Sequence, residues 1–395
     1  MRVGHVIQSA SHSVGGPSAS TFALCNALHR SGCNCAIACG VKDSGEQPGL
    51  DSKIEISVFN IRRSPFSGRA EKDKLARFIR AADVIHLHGL WDALPYIAAG
   101  LSRKLGKPYV LSLHGMLLER SLAHHRLRKR LFLSLAGNRV LRGAAAIHFT
   151  TKAELEQATS VLPDGPERLV IPLTIESSLI DNPPNASLWT QYFPQLPNSW
   201  PRLLFLSRIH PVKNLPALLA ALPPLVREFP GLHLVIAGGG DPSYVRKMEA
   251  LASSSSLAKA FFFVGPISGE SKAALICSST VMAIPSFHEN FGMAIAEGLA
   301  CSVPTIVTPG LGIGAEILAC GAGFPCGEDA DSIAESLATF LRQPEWLANA
   351  GKNGRQWVLR TLSASSVAGQ FNQLYARLAN DPVEHPLFRS ARGDP

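Results

Sequence analysis

Two glutamates, Glu289 and Glu297, lie in an otherwise apolar stretch, SFHENFGMAIAEGLACSVPTIVTP at residues 286–309. Carboxylates are rarely buried without partners, so each glutamate is expected to bind a polar group. The preceding VMAIPS is typical of a strand, FHEN of a turn, and GMAIAEGLAC of a helix that begins near Gly292. Glu289 is therefore predicted in the turn and Glu297 about a turn and a half into the helix.

The start of this helix is a candidate ligand site. The backbone N–H groups of Asn290, Phe291 and Gly292 belong to the incoming helix end, where they have no helical partner and can donate to a ligand. Glu289 can face the same ligand, and the carboxylate of Glu297 is a good acceptor for a ribose diol. The alternatives are a simple N-terminal helix charge for Glu289 and a solvent-facing helix residue for Glu297.

Two cations, Arg208 and Lys213, lie in FLSRIHPVKN directly after the apolar strand RLLFLS. A pair of cations in a strand-to-helix loop can neutralise a diphosphate. The same pair stabilises a diphosphate leaving group while its negative charge grows in the transition state. The alternative is an ordinary pair of surface cations.

Two glycine-rich loops could approach phosphates. Gly15 and Gly16 follow the strand VGHVIQ and precede a helix, an arrangement that can bind phosphate, although an ordinary tight turn explains it equally well. In IAGGGDP, Gly238 either faces a nucleotide or forms a turn. Its glycines are consecutive, and no acidic residue is placed to bind a ribose, which disfavours an NAD-dependent dehydrogenase.

The chain has 395 residues, and short apolar runs alternate with helical patterns in both halves. This alternation predicts an α/β protein with two parallel, open, Rossmann-like sheets in tandem. Ligands bind at the carboxyl ends of such strands, so the site is expected in a cleft between two domains. The predicted divisions are a first Rossmann-like domain at 1–185, a linker at 186–201, a second Rossmann-like domain at 202–355, and a helix at 356–380 that packs back on the first domain.

A basic segment spans residues 120–142, and the net charge of the chain is +8. Its cations alternate with apolar residues and no acidic residue interrupts them, which predicts a basic amphipathic helix. Such a helix is a solvated surface, or it binds an anionic membrane surface or an anionic acceptor. Nucleic acid is disfavoured, because no known binding motif accompanies the patch.

The segment HLHGLWD brings His86, His88 and Asp92 together after a strand. The two histidines share one face of that strand, but no further ligand follows at helical spacing, so no metal site is predicted. His88 and Trp91 are instead predicted to line the cleft.

Two other metal-like patterns are interpreted without a metal. Asp329-Ala-Asp331 has the form of a metal-binding DxD motif, but it opens a helical pattern, where capping is the simpler account. The eight cysteines show no paired CxxC spacing and are predicted to be free thiols in a reducing compartment.

The E-N-F-G sequence followed by Glu297 resembles the E-x7-E motif of retaining glycosyltransferases with two Rossmann-like domains, in particular glycosyltransferase family 4. Three further segments match this family: its diphosphate pair at Arg208 and Lys213, its N-terminal glycine loop at Gly15 and Gly16, and its histidine segment at HGM, residues 114–116. The resemblance covers nearly the whole chain and is strongest in the C-terminal half.

The resemblance implies a role for each matched residue: Glu289 and the Phe291–Gly292 backbone bind sugar hydroxyls, Glu297 the ribose, Arg208 and Lys213 the diphosphate, and His114 the sugar or acceptor. It also implies that residues 1–185 form the acceptor-side domain, with His88 and Trp91 on the acceptor side, and that residues 202–355 bind the nucleotide sugar. The reaction is expected to retain the configuration at the anomeric carbon, with the leaving diphosphate taking the proton of the acceptor. A nucleoside diphosphate sugar is the expected substrate, and no further cofactor or metal is expected.

These observations predict a hexosyltransferase that acts on a glycan or lipid-linked acceptor, in cell-surface polysaccharide biosynthesis. A nucleotide-sugar epimerase of the same fold and a basic nucleic-acid-binding protein are the alternatives. The first residues show no signal-peptide pattern, so the expected location is the cytoplasm, with peripheral attachment to the inner face of the membrane.

Overall fold

The computed structural model describes residues 1–11, 16–42, 49–61, 68–123, 125–175, 179, 183, 185–254 and 257–380. The chain forms two compact units. Unit 1 comprises Met1–Thr174 together with the described residues from Ala364 onward, and unit 2 comprises Ile175–Ser363.

Unit 1 is built on a seven-stranded parallel sheet in the order β3-β2-β1-β4-β5-β6-β7. Its strands are mostly apolar and buried on both faces, as parallel strands covered by helices must be. In the register of β1 with β4, His5 lies beside His86 and Ile7 beside His88. The strands are β1 (Arg2–Ser9), β2 (Asn34–Val41), β3 (Glu55–Val58), β4 (Val84–His88), β5 (Tyr109–Ser112), β6 (Ala146–Phe149) and β7 (Glu167–Val170).

Helices cover both faces of this sheet. One core includes Phe371 and Tyr375 from the last helix, which packs on the first, and the other includes Tyr109 and Phe149. The helices of unit 1 are α1 (Gly16–Arg30), α2 (Arg69–Arg80), α3 (Ala93–Lys104), α4 (Glu119–Ala123), α5 (Arg126–Phe132), α6 (Asn138–Gly143), α7 (Lys152–Ala158) and α16 (Ala364–Asn380).

The basic segment differs from the single helix predicted over 120–142. The short helix α4 ends at Ala123, and His125 has φ 58°, a left-handed conformation that interrupts a right-handed helix. From Arg126 the chain is helical through α5, a π-helical turn at Leu133–Gly137, and α6. The prediction of one continuous helix is therefore wrong, while the portion after His125 is helical as predicted.

Unit 2 contains a six-stranded parallel sheet in the order β10-β9-β8-β11-β12-β13. Its strands are β8 (Arg202–Leu206), β9 (His233–Ala237), β10 (Phe261–Gly265), β11 (Val281–Met282), β12 (Thr305–Val307) and β13 (Gly323–Pro325). Its helices are α8 (Trp189–Tyr192), α9 (Leu215–Glu228), α10 (Pro242–Ser253), α11 (Gly269–Cys277), α12 (Met293–Ala300), α13 (Gly314–Ala319), α14 (Ala330–Leu341) and α15 (Pro344–Thr361).

The Pro-rich stretch predicted as a linker lies on unit 2 where it is described. The guanidinium of Arg202 lies 3.9 Å from the ring centroid of Trp189, and the hydroxyl of Tyr192 donates to Glu270 at 2.6 Å. These contacts attach helix α8 to the body of unit 2. The first of the two segments of unit 1 ends earlier in the chain, at Thr174.

Both units are parallel α/β sheets with helices on their faces, so the predicted fold class is confirmed. Among the residues that the structure describes, no helix is long and apolar enough to cross a membrane.

Candidate functional site

Unit 1 has a cavity of about 730 Å³ at the carboxyl ends of its strands. The strand order reverses between β1 and β4, and such switch points are where open α/β sheets bind ligands. Gln8 and Ser9 from the end of β1, and His88 from the end of β4, line this cavity. His114, which follows β5, also lines it, so the structure brings together two of the histidines singled out from the sequence.

A strained turn presents His114. Its φ is 49° and that of Gly115 is 77°, so two consecutive residues adopt the left-handed region that a side chain disfavours. The buried carboxylate of Glu154 holds this turn, because its Oε1 accepts from the Gly115 N–H at 2.5 Å. Its Oε2 accepts from the N–H and the hydroxyl of Thr150 at 2.7 and 2.8 Å.

Sequence reasoning missed Glu154, although a local signal was present. TKAE at 151–154 fits a capping box, and the Thr151 hydroxyl does accept from the Glu154 N–H at 3.0 Å. In a capping box the glutamate would reach back to its own helix. Here it reaches Gly115 in a different loop, which the sequence pattern does not show.

A network of histidines lies beneath the cavity. One chain runs from His5 Nδ1 to His88 Nε2 at 3.0 Å, and from His88 Nδ1 to His114 Nε2 at 3.1 Å. A second chain links Tyr375 to His86, His86 to Ser112 and Ser112 to His148, each at 2.6 Å. This chain ends where His148 Nε2 meets the Ile171 carbonyl at 2.7 Å. His5 and His148 had no signal in the sequence.

Burial keeps four histidines of this network neutral, namely His86, His88, His114 and His148. Loss of hydration, together with a smaller effect of the nearby His148, lowers the pKa of His114 to about 3. Burial lowers the pKa of His148 to about 4, and it holds the pKa values of His86 and His88 well below 6.5. At pH 7 each of these four rings therefore has one N–H donor and one acceptor nitrogen.

Nitrogens of His5, His86 and His88 lie within 4.8 Å of one another, close enough to be considered as metal ligands. Both nitrogens of His86 and both of His88 already lie at hydrogen-bonding distance from side chains, so a metal ion would have to displace those contacts. Asp92 lines the cavity wall instead of joining this group. The expectation that no metal binds here stays a prediction.

The other residues predicted on this side have different surroundings. Trp91 packs against Phe132, with ring centroids 5.5 Å apart, and Lys129 Nζ lies 5.4 Å from the Trp91 centroid. Among the described residues that line the cavity, Trp91 is not found. Gly16 is the first residue of α1 and is exposed, whereas Gly15 lies outside the described residues.

Unit 2 has its own switch point between β8 and β11. Arg208 follows β8 and is exposed, and Lys213 ends a short turn and is buried. Glu289, from the loop after β11, forms an ion pair with Lys213. The Phe287 N–H donates to the Val212 carbonyl at 3.0 Å and so fastens the two loops together. The structure thus joins two of the predicted site residues at the predicted end of the sheet.

The predicted helix start after Glu289 is also present. Gly292 precedes α12 with φ 93°, and a Cβ there would lie 2.7 Å from the Leu311 side chain, so glycine is required. The backbone of Glu289 is held on both sides, since its N–H donates to Gly310 O and its carbonyl accepts from Gly312 N. The loop is therefore fixed in front of the helix N-terminus.

Glu297 is the fifth residue of α12 and is largely buried. Its Oε1 accepts from Lys272 Nζ at 2.8 Å. Lys272, on α11, was not singled out from the sequence because GESKAALICSS gives no sign of its partner. The pair satisfies one carboxylate oxygen of Glu297.

The contacts of Gly238 and Asp329 bear on the two interpretations that the sequence offered for each residue. A Cβ on Gly238 would lie 1.9 Å from the Ser207 carbonyl oxygen, so close backbone packing alone requires glycine at this position. Asp329 accepts from the Ser332 N–H at 2.9 Å and caps α14, which confirms the capping interpretation of that DxD sequence.

Two family models match this chain. Residues 15–174 match the glycosyl transferase 4-like domain, and residues 193–357 match glycosyl transferases group 1. A D-inositol 3-phosphate glycosyltransferase of Xylanimonas cellulosilytica is 26% identical, over 76% of this chain and 76% of that protein. A glycogen synthase of Mycobacterium tuberculosis is 25% identical, over 74% of this chain and 68% of that protein.

Solved structures share the fold. The Anabaena protein HepE in complex with UDP superposes with a TM-score of 0.79 at 18% identity, covering 96% of this chain and all of that one (100%). WaaG, a glycosyltransferase involved in lipopolysaccharide biosynthesis, gives a TM-score of 0.71 at 16% identity, covering 94% of this chain and 99% of that one.

The two parallel sheets and the solved structures that share them define the GT-B fold. More particularly, the chain belongs to the group 1 glycosyltransferases of the family 4 type, as the resemblance predicted.

Proposed function

We propose that this glycosyltransferase transfers a sugar from a nucleoside diphosphate donor with retention of anomeric configuration and without a metal ion. The observation that carries the proposal is the fixed group at the switch point of unit 2, where Lys213 and Glu289 are paired in front of the N-terminus of α12. A cation, an acceptor for hydroxyl groups and the N–H groups of a helix N-terminus are what a sugar diphosphate requires.

Each residue of this group has a role in the proposal. Lys213 and Arg208 bind the diphosphate and stabilise the negative charge that it gains on leaving. Glu289 accepts hydrogen bonds from sugar hydroxyls, alongside the backbone of Asn290, Phe291 and Gly292. Glu297 binds the ribose through its second carboxylate oxygen, since Lys272 occupies the first.

Neither glutamate is placed as an acid–base catalyst. Each is ion-paired with a lysine, and a carboxylate in such a pair acts as a hydrogen-bond acceptor. The leaving diphosphate can instead take the proton from the acceptor hydroxyl, on the same face of the sugar. This route needs no carboxylate pair on either side of the scissile bond, unlike glycoside hydrolysis.

The donor and acceptor classes follow from the chemistry and from relatives. HepE was solved with UDP and with UDP-glucose, so a UDP-sugar is the first donor to test. We assign the acceptor, a glycan or lipid-linked molecule of cell-surface polysaccharide biosynthesis, to the cavity of unit 1, where His114 and His88 contact it. The proposal keeps two further predictions. Gly15, Gly16 and Gly238 contact the sugar donor, and Trp91 lies on the acceptor side.

A panel of nucleoside diphosphate sugars tests the donor site directly, because a ligand that binds only the folded protein raises its melting temperature. Replacing Glu297 with alanine should weaken binding of the stabilising donor about 10-fold, as expected for one lost hydrogen bond to a charged group. Isothermal titration measures the affinity. The control is Glu228→Ala, which removes a glutamate paired with Arg342 elsewhere in unit 2. Equal donor affinity in the Glu297 variant and the control would contradict the ribose role.

We further propose that unit 1 binds an anionic membrane surface through α5 and the turn after it. Leu127, Leu131 and Leu135 are 81%, 60% and 75% exposed and recur every four residues, so they form one apolar face. Cations lie beside them along the helix, at Arg126, Arg128, Lys129 and Arg130. An exposed leucine row flanked by arginines suits the boundary between lipid headgroups and acyl chains.

Sedimentation with vesicles tests this surface. The triple variant Leu127→Ser/Leu131→Ser/Leu135→Ser should bind phosphatidylglycerol-containing vesicles at least about 10-fold more weakly, because it removes the apolar insertion. A matched control replaces the exposed leucines Leu251, Leu318 and Leu359 of unit 2 with serine. Wild-type binding should fall as salt rises and should be absent with neutral vesicles. Equal binding by the two triple variants would overturn the assignment.

A further inference from the structure

The two hydrogen-bonded chains beneath the cavity of unit 1 differ in how firmly their protons are placed. A carbonyl oxygen only accepts, so the Ile171 carbonyl requires a proton on His148 Nε2. Nδ1 of the neutral His148 must then accept from the Ser112 hydroxyl, and Ser112 must accept from His86 Nε2. The remaining nitrogen of His86 accepts from Tyr375, so every proton in this chain is determined.

In the other hydrogen-bonded chain, no carbonyl oxygen fixes the position of a proton among the described residues. Within the described part of the chain, the ring nitrogens of His5, His88 and His114 are hydrogen-bonded only to one another, so their protons can be arranged in two ways. In the first, Nδ1–H of His5 donates to His88, and Nδ1–H of His88 donates to His114. In the second, every donor is an Nε2–H and every bond runs in the opposite direction. The three rings change together, because each shared contact has room for one proton.

The inner end of this row of hydrogen-bonded histidines, at His5, discriminates between the two arrangements of protons. Among the described residues, the buried Nε2 of His5 has no hydrogen-bond partner. The first arrangement leaves a bare acceptor there, and the second leaves an N–H donor. Buried N–H groups without acceptors are the rarer case in folded proteins, so the first arrangement is favoured.

We infer that His88, with His5 behind it, is a positioning residue that fixes His114 as its Nδ1–H tautomer. His114 Nε2 is then occupied by His88, and Nδ1–H is the nitrogen left for a ligand in the cavity. His114 consequently donates a hydrogen bond to a hydroxyl or phosphate oxygen and does not serve as a base. This inference rests on the proposed function only in taking the ligand to be a substrate of glycosyl transfer.

Tautomers are measured without any substrate. Full-length protein labelled with ¹⁵N-histidine gives long-range nitrogen–proton correlations that distinguish Nδ1–H from Nε2–H rings. His5, His88 and His114 should be Nδ1–H, while His86 and His148 should be Nε2–H and serve as internal controls. Signals are assigned by their loss in single variants. An Nε2–H tautomer at His114 would overturn the inference, whatever reaction the enzyme performs.

Two variants of His88 test its positioning role. His88→Asn keeps an amide donor in the place of Nδ1, so His114 should stay Nδ1–H. His88→Leu removes that donor, and His114 should populate the Nε2–H tautomer. An unchanged tautomer in a folded His88→Leu protein would show that His88 does not position His114, and the wild-type spectrum decides the matter if this variant does not fold.

Transferase activity distinguishes a hydrogen-bond donor at position 114 from a general base. Asparagine at position 114 places its amide where Nδ1–H lies and tolerates positive φ, whereas glutamine places its amide in the position of Nε2. We expect His114→Asn to retain activity within about 10-fold and His114→Gln to lose about 100-fold. Loss of a general base costs about 10²–10⁴-fold, and it would affect both variants equally because neither amide is a base. Equal losses would overturn the donor role. If wild-type protein transfers no sugar, the proposed function fails, while the tautomers still decide the positioning claim.

Discussion

Lys213→Met is expected to lower kcat about 10²–10³-fold, the largest single effect that we predict in unit 2. Loss of one group that stabilises charge in a transition state typically costs this much. Methionine retains the buried stem of the lysine and removes only its charge. Glu289 remains partly exposed without its partner, so the fold should persist. Steady-state kinetics with the stabilising donor measure the effect.

The matched control is Arg246→Ala, which removes an exposed cation of α10 and should leave kcat within about 2-fold, as usual for surface changes. Arg208→Ala should also lower kcat, and the double variant should lose less than the product of the single losses if both cations bind one diphosphate. A Lys213→Met enzyme with wild-type kcat would contradict the leaving-group role.

Acidification is expected to destabilise unit 1 by several kcal/mol between pH 7.5 and pH 5. In the unfolded chain, histidines take up protons below about pH 6.5. In the folded unit, burial lowers the pKa values of His114 and His148 to about 3 and about 4, and those of His86 and His88 still more clearly. The unfolded state therefore binds more protons, and stability falls by about 1.4 kcal/mol per pH unit for each such histidine.

Amide hydrogen exchange of peptides from β4 and β5 reports on unit 1 alone. His148→Gln keeps an N–H for the Ile171 carbonyl but cannot titrate. The free energy of unfolding should therefore depend less steeply on pH, by the amount that corresponds to about one proton. His29→Gln, at a half-exposed position outside the network, is the control. A pH dependence unaffected by His148→Gln would show that burial of this histidine does not destabilise the unit in acid.

Much of the architecture was accessible from local sequence patterns. The alternation of apolar runs and helical periods predicted both parallel sheets. The ENFG turn predicted a helix that begins near Gly292, and α12 begins at Met293. The capping role of Asp329 was equally local. These features depend on neighbouring residues in the chain, which is why a single sequence reveals them.

The partners of the site residues were not accessible in this way. Lys272 pairs with Glu297 and Glu154 holds the turn at Gly115, but each pair joins separate elements whose approach is set by the tertiary fold. His5 lies in a strand whose sequence is otherwise that of a buried core. The break at His125 was missed because histidine is compatible with a helix, and its left-handed conformation has no sequence signature.

The stereochemistry of the product tests the central claim most directly. The enzyme would be incubated with the donor that stabilises it and an accepted acceptor, and the anomeric proton coupling of the new linkage would be measured by NMR before any side reaction. We predict the same configuration as the donor, and no product from the Lys213→Met enzyme on the same timescale. A linkage of inverted configuration would contradict the front-face mechanism, because it would require a base on the opposite side of the sugar.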